Sequence, residues 1–273
     1  MIIVKTGEEM SEEEFYVLAA SSVGIFLFWV PWIRDIMVIY DRRGRYAGIA
    51  AFFAPFFALG ILFFVLRNFS SLDVRSNPVY IVFYMAFGLA WCGLMTKFFS
   101  FLGLDFRHDV AEQDNYAADV AISGAVLGSM LCFSGGNIGD GPGWWVVFFC
   151  AAVATVVWML VWIVVDQVNG VCEAITVDQD LATGIRFAGF LAASGLVFGR
   201  AMAGNWVSAA ATLTDFWRVS APLGVLVVIA LLLDRLFCLS KEVPRQNVFV
   251  AGFLPAGIYI FLSVCYVLHL GAW

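Results

Sequence analysis

Long apolar stretches constrain this chain more than any other feature of its sequence. A helix needs about 20 largely apolar residues to cross roughly 30 Å of hydrocarbon at about 1.5 Å per residue. Eight stretches qualify, and short polar connections separate them. They run approximately over 15–33, 46–66, 79–103, 116–134, 144–165, 181–204, 219–237 and 247–270. The sequence therefore predicts an all-α, polytopic membrane helical bundle of about eight spans.

The composition excludes several other classes of protein. Of the 273 residues, 62% are hydrophobic and only 13% are charged, whereas soluble domains carry roughly 25% charged residues. The mean hydropathy is +0.91. The net charge of −6 argues against nucleic acid as a partner, because phosphate binding needs clustered Lys and Arg. The expected main partner is the lipid bilayer.

Basic residues predict the orientation, because Lys and Arg accumulate in cytoplasmic loops. Ten of the fifteen basic residues fall on one predicted side, which we assign to the cytoplasm. Both termini are then predicted to be non-cytoplasmic. The ten residues are Arg34, Arg42, Arg43, Arg45, Lys97, Arg107, Arg186, Arg235, Lys241 and Arg245.

The sequence contains none of the residue patterns that are typical of enzyme active sites or cofactor sites. The six cysteines show no CxxC or Cys/His spacing, and they read as small buried hydrophobes. His108 and His269 are predicted on opposite sides of the membrane, so they cannot share a metal ion. The glycine-rich stretch 135–143 lacks the Lys-Ser or Lys-Thr of a phosphate loop and reads as a turn. We expect no enzymatic activity and no metal or cofactor.

The openings of alternate spans resemble one another and recur every 65 to 70 residues. They read Arg45-Tyr46-Ala47, Asn115-Tyr116-Ala117, Asp180-Leu181-Ala182 and Arg245-Gln246-Asn247. This pattern predicts four parallel helical-hairpin repeats related by an axis along the membrane normal. Within one integral membrane unit we distinguish 1–104 (spans 1–3 with a divergent first repeat), 105–204 (spans 4–6) and 205–273 (spans 7–8).

Two of these openings carry a helix-capping residue. Asn115 and Asp180 each have a short side-chain oxygen that can accept an unpaired amide hydrogen of the first helical turn. Asn115-Tyr116-Ala117-Ala118 is followed by Ser123-Gly124 and Gly128.

This element resembles the YjfL family of bacterial inner-membrane proteins, also described as domain of unknown function 350. The resemblance covers roughly residues 114–204, with Asp180 as a variant opening. Members of that family look like four-span proteins, so this chain resembles two such units in tandem. The resemblance implies the bacterial cytoplasmic (inner) membrane and an association with membrane stress. It implies no defined activity.

Small residues follow these openings at a spacing of about one helical turn. Glycines four apart lie on one helix face and permit a neighbouring helix to approach closely. We predict that five glycines pack against other helices. They are Gly124, Gly128, Gly189, Gly195 and Gly199.

Charged residues within spans are candidates for function, since their insertion costs roughly 2.5–3.5 kcal/mol each. Asp119 and Arg186 lie at similar depths in repeat-related helices, which predicts an ion pair. Lys97 could join that pair or extend to lipid headgroups. Arg200, Asp234 and Arg235 are expected to be solvated or interfacial. The acidic loop Asp105, Asp109, Glu112 and Asp114 is also expected to be solvated.

Two functional hypotheses follow, together with a weaker third. The first is a non-enzymatic membrane scaffold for envelope maintenance or stress, which presents cytoplasmic loops to a peripheral protein or to another copy of itself. The alternative is an ion or small-solute channel or transporter with Asp119 and Arg186 at its cytoplasmic entrance. A membrane-embedded enzyme is the third, and it would require clustered catalytic groups.

Overall fold

The computed structural model describes residues 10–43, 47–238 and 247–271, and it confirms the all-α fold. Seven helices are long and apolar enough to cross a membrane, or up to eight if one bent pair counts as a span. Short π-helical segments cover Phe106–Glu112 and Phe249–Phe253. The α-helices are α1 (Glu12–Arg43), α2 (Ile49–Asn68), α3 (Leu72–Ser76), α4 (Pro78–Phe101), α5 (Tyr116–Gly135), α6 (Trp144–Asn169), α7 (Val171–Thr176), α8 (Leu181–Met202), α9 (Ala209–Ser220), α10 (Leu223–Cys238) and α11 (Leu254–His269).

Helix α1 is longer than the sequence predicts. The predicted span ends at residue 33, yet the helix continues for ten more residues and ends at Arg43. No glycine interrupts residues 34–43, so nothing in that segment favours a break. At about 1.5 Å per residue, α1 is roughly 48 Å long. It therefore extends beyond the hydrocarbon layer.

The seventh predicted span, 219–237, is a bent pair of helices. α9 and α10 meet at an angle of 43°, and Pro222 lies in the break between them. Proline has no amide hydrogen and clashes with the preceding turn, so it disfavours a continuous helix. The prediction merged the end of α9 with α10 and missed most of α9.

The helices form two rows, which we call the inner row (α2, α5, α8, α11) and the outer row (α1, α4, α6, α10). Neighbours in the inner row pack against each other in chain order. Gly184 meets Ala117 near the starts of α8 and α5, and Gly199 meets Leu131 near their ends. These two helices are therefore parallel, and an outer-row helix carries the chain back between them.

Aromatic side chains join neighbouring helices of the outer row and also join the outer row to the inner row. The Phe99 ring of α4 lies 5.6 Å from that of Trp162 on α6. The Trp158 indole donates a hydrogen bond of 3.0 Å to the Leu191 carbonyl of α8. On the outside, large apolar side chains such as Phe57, 66% exposed, cover α2 and its neighbours. This exposed apolar surface is the lipid-facing surface that a multi-pass membrane protein requires.

Several predictions fall on residues that the structure does not describe. Both termini lie outside the described residues, as do Arg45, Lys241 and Arg245 of the predicted cytoplasmic side. The orientation, the division of the chain at 104 and 204, and the fourfold sequence repeat stay predictions.

Candidate functional site

Polar side chains gather where the inner-row helices begin, and we call this region the amino-end layer. Its members are Asn115, Asp119, Asp180, Thr183 and Arg186 of the inner row, with Asp234 from α10. All of them except Asp180 are buried. The candidate site is built from this layer.

Asp119 of α5 serves as a cap for the neighbouring helix α2. Its carboxylate accepts hydrogen bonds from the amides of Gly48 at 3.0 Å, Ala50 at 3.2 Å and Ala51 at 2.8 Å. The first amides of a helix have no partner within it, and the helix dipole favours a negative charge there. Gly48 has no side chain with which to cap α2. Asp119, only 3% exposed, supplies the missing acceptor.

Asn115 caps its own helix and fastens α7 at the same time. Its Oδ1 atom accepts hydrogen bonds from the amides of Ala117 and Ala118 at 2.9 and 3.1 Å. Its Nδ2 atom donates to the Ile175 carbonyl at 2.7 Å. Asn115, which the sequence predicts as a helix cap, therefore also links α5 to α7.

Asp180 caps α8 in the corresponding way. Its carboxylate accepts from the amides of Ala182 at 3.3 Å and Thr183 at 3.1 Å. The residues directly before the two caps, Asp114 and Gln179, share a left-handed backbone with φ of 55° and 52°. The chain thus enters α5 and α8 through similar turns.

Arg186 makes a buried ion pair with Asp234. Its Nε atom donates to the Asp234 carboxylate, Nη1 donates to the Ala251 carbonyl, and Nη2 donates to the Thr183 hydroxyl at 3.2 Å. The guanidinium also lies 5.4 Å from the centre of the Phe237 ring. Arg186 is 1% exposed, and every guanidinium nitrogen has a partner.

The predicted ion pair between Asp119 and Arg186 is wrong. Asp119 follows its cap Asn115 by four residues, whereas Arg186 follows Asp180 by six. Two residues rotate an α-helix by about 200°, so the side chains leave their helices in opposite directions. Asp119 faces the preceding inner helix, and Arg186 faces α10 and the segment before α11.

The remaining intramembrane charges divide into two kinds. Lys97 is exposed on α4 and is not brought to Asp119 or Arg186. Asp234 was expected to be solvated, but it is 4% exposed. The sequence did contain a signal for the burial of Asp234. A buried Arg186 needs an acidic partner at the same depth, and Asp234 lies near the end of α10 on the same side of the bundle.

The predicted packing glycines lie in tight contacts between inner-row helices. A Cβ atom added at Gly195 would lie 2.4 Å from the Gly128 carbonyl oxygen, and one at Gly189 would lie 2.5 Å from the Ala256 side chain. Such distances leave no room for a side chain or a solute along the α5–α8 contact. Gly124, Gly128 and Gly199 show the same close approach to the facing helix.

The loop before α5 is more ordered than its charge suggests. Asp105 accepts a hydrogen bond from the Ser100 hydroxyl and another from the His108 amide, both at 2.7 Å. Asp109 accepts from the Asp105 amide at 2.8 Å. Asp109 and Asp114 are buried, so the prediction of a fully solvated acidic loop is wrong for these two.

Two of the carboxyl groups in this loop, those of Asp105 and Asp109, have opposite electrostatic environments. Burial raises the pKa of Asp109 above its ordinary value, and the hydrogen bond from Asp105 does not fully offset that rise. Burial also acts to raise the pKa of Asp105, but its hydrogen bonds from Ser100 and the backbone outweigh burial and lower the pKa. Asp105 is therefore the more stable anion.

A small cavity lies at the opposite, carboxyl ends of α5 and α8. It has a volume of about 50 Å³, and Ser70, Asn137, Asp140 and Trp206 contribute to its wall. Asn137 is 5% exposed, and its Oδ1 atom has no hydrogen-bond partner among the described residues. The 135–143 segment forms a turn there, separate from the amino-end layer.

Comparisons with known proteins add nothing to this geometry. The chain matches no family model, no curated protein and no solved structure. Among the described residues, no three His, Cys, Asp or Glu side chains form a group that could hold a metal ion. The chain is shown to be a multi-pass helical membrane protein, and the resemblance to the YjfL family stays a prediction.

Proposed function

We propose that this protein is a non-enzymatic scaffold of a bacterial inner membrane, which assists envelope maintenance or stress responses by presenting a loop to a peripheral cytoplasmic protein. One observation carries the proposal: the buried charged side chains of the amino-end layer bind other groups of the protein. Asp119 accepts three amides, and Arg186 binds Asp234, Ala251 and Thr183. A transport site needs charges that face water or solute.

The packing of the inner row supports the same interpretation. Gly124, Gly128 and Gly195 bring the backbones of α5 and α8 into contact, which stabilises helices where lipid provides no hydrophobic driving force. A central solute path between the repeats would have to pass through this contact. We therefore interpret the amino-end layer as a structural support for the loops at this end of the bundle, including 105–114.

The 105–114 loop is the surface that, in this proposal, binds the peripheral cytoplasmic protein. Phe106 stacks on Trp32 with ring centres 3.8 Å apart, so the base of the loop is held against α1. Arg107, His108 and Glu112 project outward with exposed side chains of 69%, 64% and 56%. A surface that is ordered before binding loses little entropy when a partner docks.

A photocrosslinking experiment in whole cells tests the proposal. A photoreactive residue replaces His108, and the matched control carries it at Gly141, in the turn at the opposite end of the bundle. We expect a discrete protein adduct at 108 that disappears when Arg107 and Glu112 are exchanged for oppositely charged residues. An adduct of twice the chain mass would identify a second copy as the partner. Absence of any adduct at 108, together with ion flux through the purified protein, would refute the scaffold.

One observation favours an ion or small-solute channel or transporter as a second candidate. The Tyr259 side chain is fully buried, and its hydroxyl has no hydrogen-bond partner in the described residues. It lies within electrostatic range of Asp234 and Arg186. A buried hydroxyl without a partner costs about 1–3 kcal/mol, so a water or an ion beside the pair would satisfy it. Flux in proteoliposomes that falls in Tyr259→Phe, at unchanged folding, would favour this candidate.

The proposal includes the YjfL-like family and the bacterial inner membrane. Its support is the pattern of a cap followed by small residues in α5 and α8, with similar left-handed turns before both caps. Topology mapping in a bacterial host tests the proposed orientation.

A further inference from the structure

A lateral cavity opens beside the bend between α9 and α10. It lies between α8, α10 and α11 and has a volume of about 260 Å³. Apolar side chains form most of its wall, including Val197, Leu226, Ile229 and Leu262. One polar group stands out, because Ser263 is 2% exposed and its hydroxyl has no partner among the described residues.

The bend explains why a cavity exists at this point. The Tyr266 hydroxyl donates a 2.7 Å hydrogen bond to the Val219 carbonyl, which fixes the end of α9 against α11. After Pro222 the chain continues as α10 at an angle of 43°. The end of α9 is thus held against α11, while α10 turns away at the bend. This leaves the space between α8, α10 and α11 unfilled.

The cavity faces lipid. Val225 and Leu262, two of its wall residues, are 65% and 40% exposed on the apolar outer surface. Ser263 precedes the end of α11 at His269 by six residues, which corresponds to a depth of about 9 Å. The headgroup region occupies about 5–7 Å on each side of the hydrocarbon layer. Ser263 therefore lies no more than about two helical turns from the level at which the ester groups of a phospholipid are found.

We propose that this cavity binds one acyl chain of a diacyl ester phospholipid, with the Ser263 hydroxyl donating a hydrogen bond to the ester carbonyl. The apolar wall matches the chain, and the single buried hydroxyl matches the one polar group at the chain's end. The volume lies just below the range of about 300–1,000 Å³ typical of pockets for larger ligands, which suits one flexible chain. Arg200 in the last turn of α8 places a positive charge at the same end of the bundle, as a phosphate headgroup requires.

Photolabelling of the full chain in phospholipid vesicles tests this assignment. The probes are a diester phosphatidylglycerol with a photoreactive acyl chain and its diether analogue, which lacks the carbonyl. We expect diester adducts within α10 and α11 around the cavity. Leu226→Trp fills the cavity and should lower this labelling at least fivefold. The matched control, Val228→Trp, lies on the lipid-facing side of α10 at 54% exposure and should leave it unchanged.

Ser263→Ala isolates the hydrogen bond and keeps the test valid if Leu226→Trp does not fold. Loss of one hydrogen bond should lower diester labelling about two- to tenfold and leave diether labelling unchanged. Equal diester labelling of wild type, Leu226→Trp and Val228→Trp would show only general lipid contact and overturn the site. An equal effect of Ser263→Ala on both lipids would overturn the assigned hydrogen bond. The scaffold proposal does not depend on either outcome.

Discussion

The pair of Arg186 and Asp234 gives the sharpest test of the amino-end layer. Asp234→Ala leaves the buried guanidinium with only the Ala251 carbonyl and the Thr183 hydroxyl. Removing one partner of a buried ion pair destabilises a protein by about 3–5 kcal/mol, because the remaining charge is left without compensation. Arg186→Met should cost a similar amount, since it leaves the carboxylate of Asp234 unpaired at 4% exposure.

The double variant should be much less damaging than the sum of the single variants. Replacing both members of a buried pair by apolar groups is often nearly neutral, so Arg186→Met with Asp234→Ala should show a coupling energy of at least about 2 kcal/mol. Free energies of unfolding in mixed detergent micelles, followed by helical circular dichroism, measure the four corners of this cycle.

A second cycle supplies the control. Asp119 binds the amides at the start of α2 and shares no partner with Arg186. Asp119→Ala and Arg186→Met should therefore be additive within about 0.5 kcal/mol. Additivity of Arg186 with Asp234, or equal coupling of Arg186 to Asp119 and Asp234, would refute the pairing described here.

Three further predictions concern packing, topology and pH. Gly195→Leu should prevent a stable fold, because a Cβ atom there would lie 2.4 Å from the facing backbone, whereas Gly257→Leu, with no atom within 4 Å, should leave thermal unfolding nearly unchanged. In intact cells, an impermeant maleimide should label a cysteine placed at Gly141 and spare one placed at His108; the reverse result would invert the orientation. Burial raises the pKa of Asp109, so the folded state holds this proton more tightly than the unfolded state. Wild type should therefore lose stability relative to Asp109→Asn as pH rises from about 4, and parallel pH profiles of the two would contradict that shift.

The sequence predicts the helices well because length and hydropathy alone decide which segments can cross a bilayer. It also indicates the close contacts of Gly124 and Gly195, since small residues one turn apart have few other uses in lipid. Segment ends were less predictable. The extension of α1 to Arg43 lies beyond the apolar run, and α9 is too polar to register as a span.

The partners of the buried charges could not be predicted from depth alone. Depth along a helix places Asp119 and Arg186 at the same level, but rotation about the helix axis decides which neighbour each one meets. Helix α2 begins at Ile49 after Gly48, which has no side chain to cap it. The acceptor comes from Asp119 on a distant helix, and nothing in the local sequence of α2 identifies that partner.

The two ends of the inner row differ in a way that bears on both functional candidates. At the amino end, Asp119 ties α5 to α2, while Arg186 ties α8 to α10 and to the segment that leads into α11. Glycine contacts close the space between α5 and α8. An apolar cavity of about 470 Å³ lies beside Gly48 at the amino end, whereas the cavities of about 50 and 260 Å³ lie toward the carboxyl ends. Movement at that end alone would admit lipid or water partway into the bundle without opening a route across it. A channel would also have to separate the amino-end layer, and breaking the Arg186 and Asp234 pair would add to the free energy that such an opening requires.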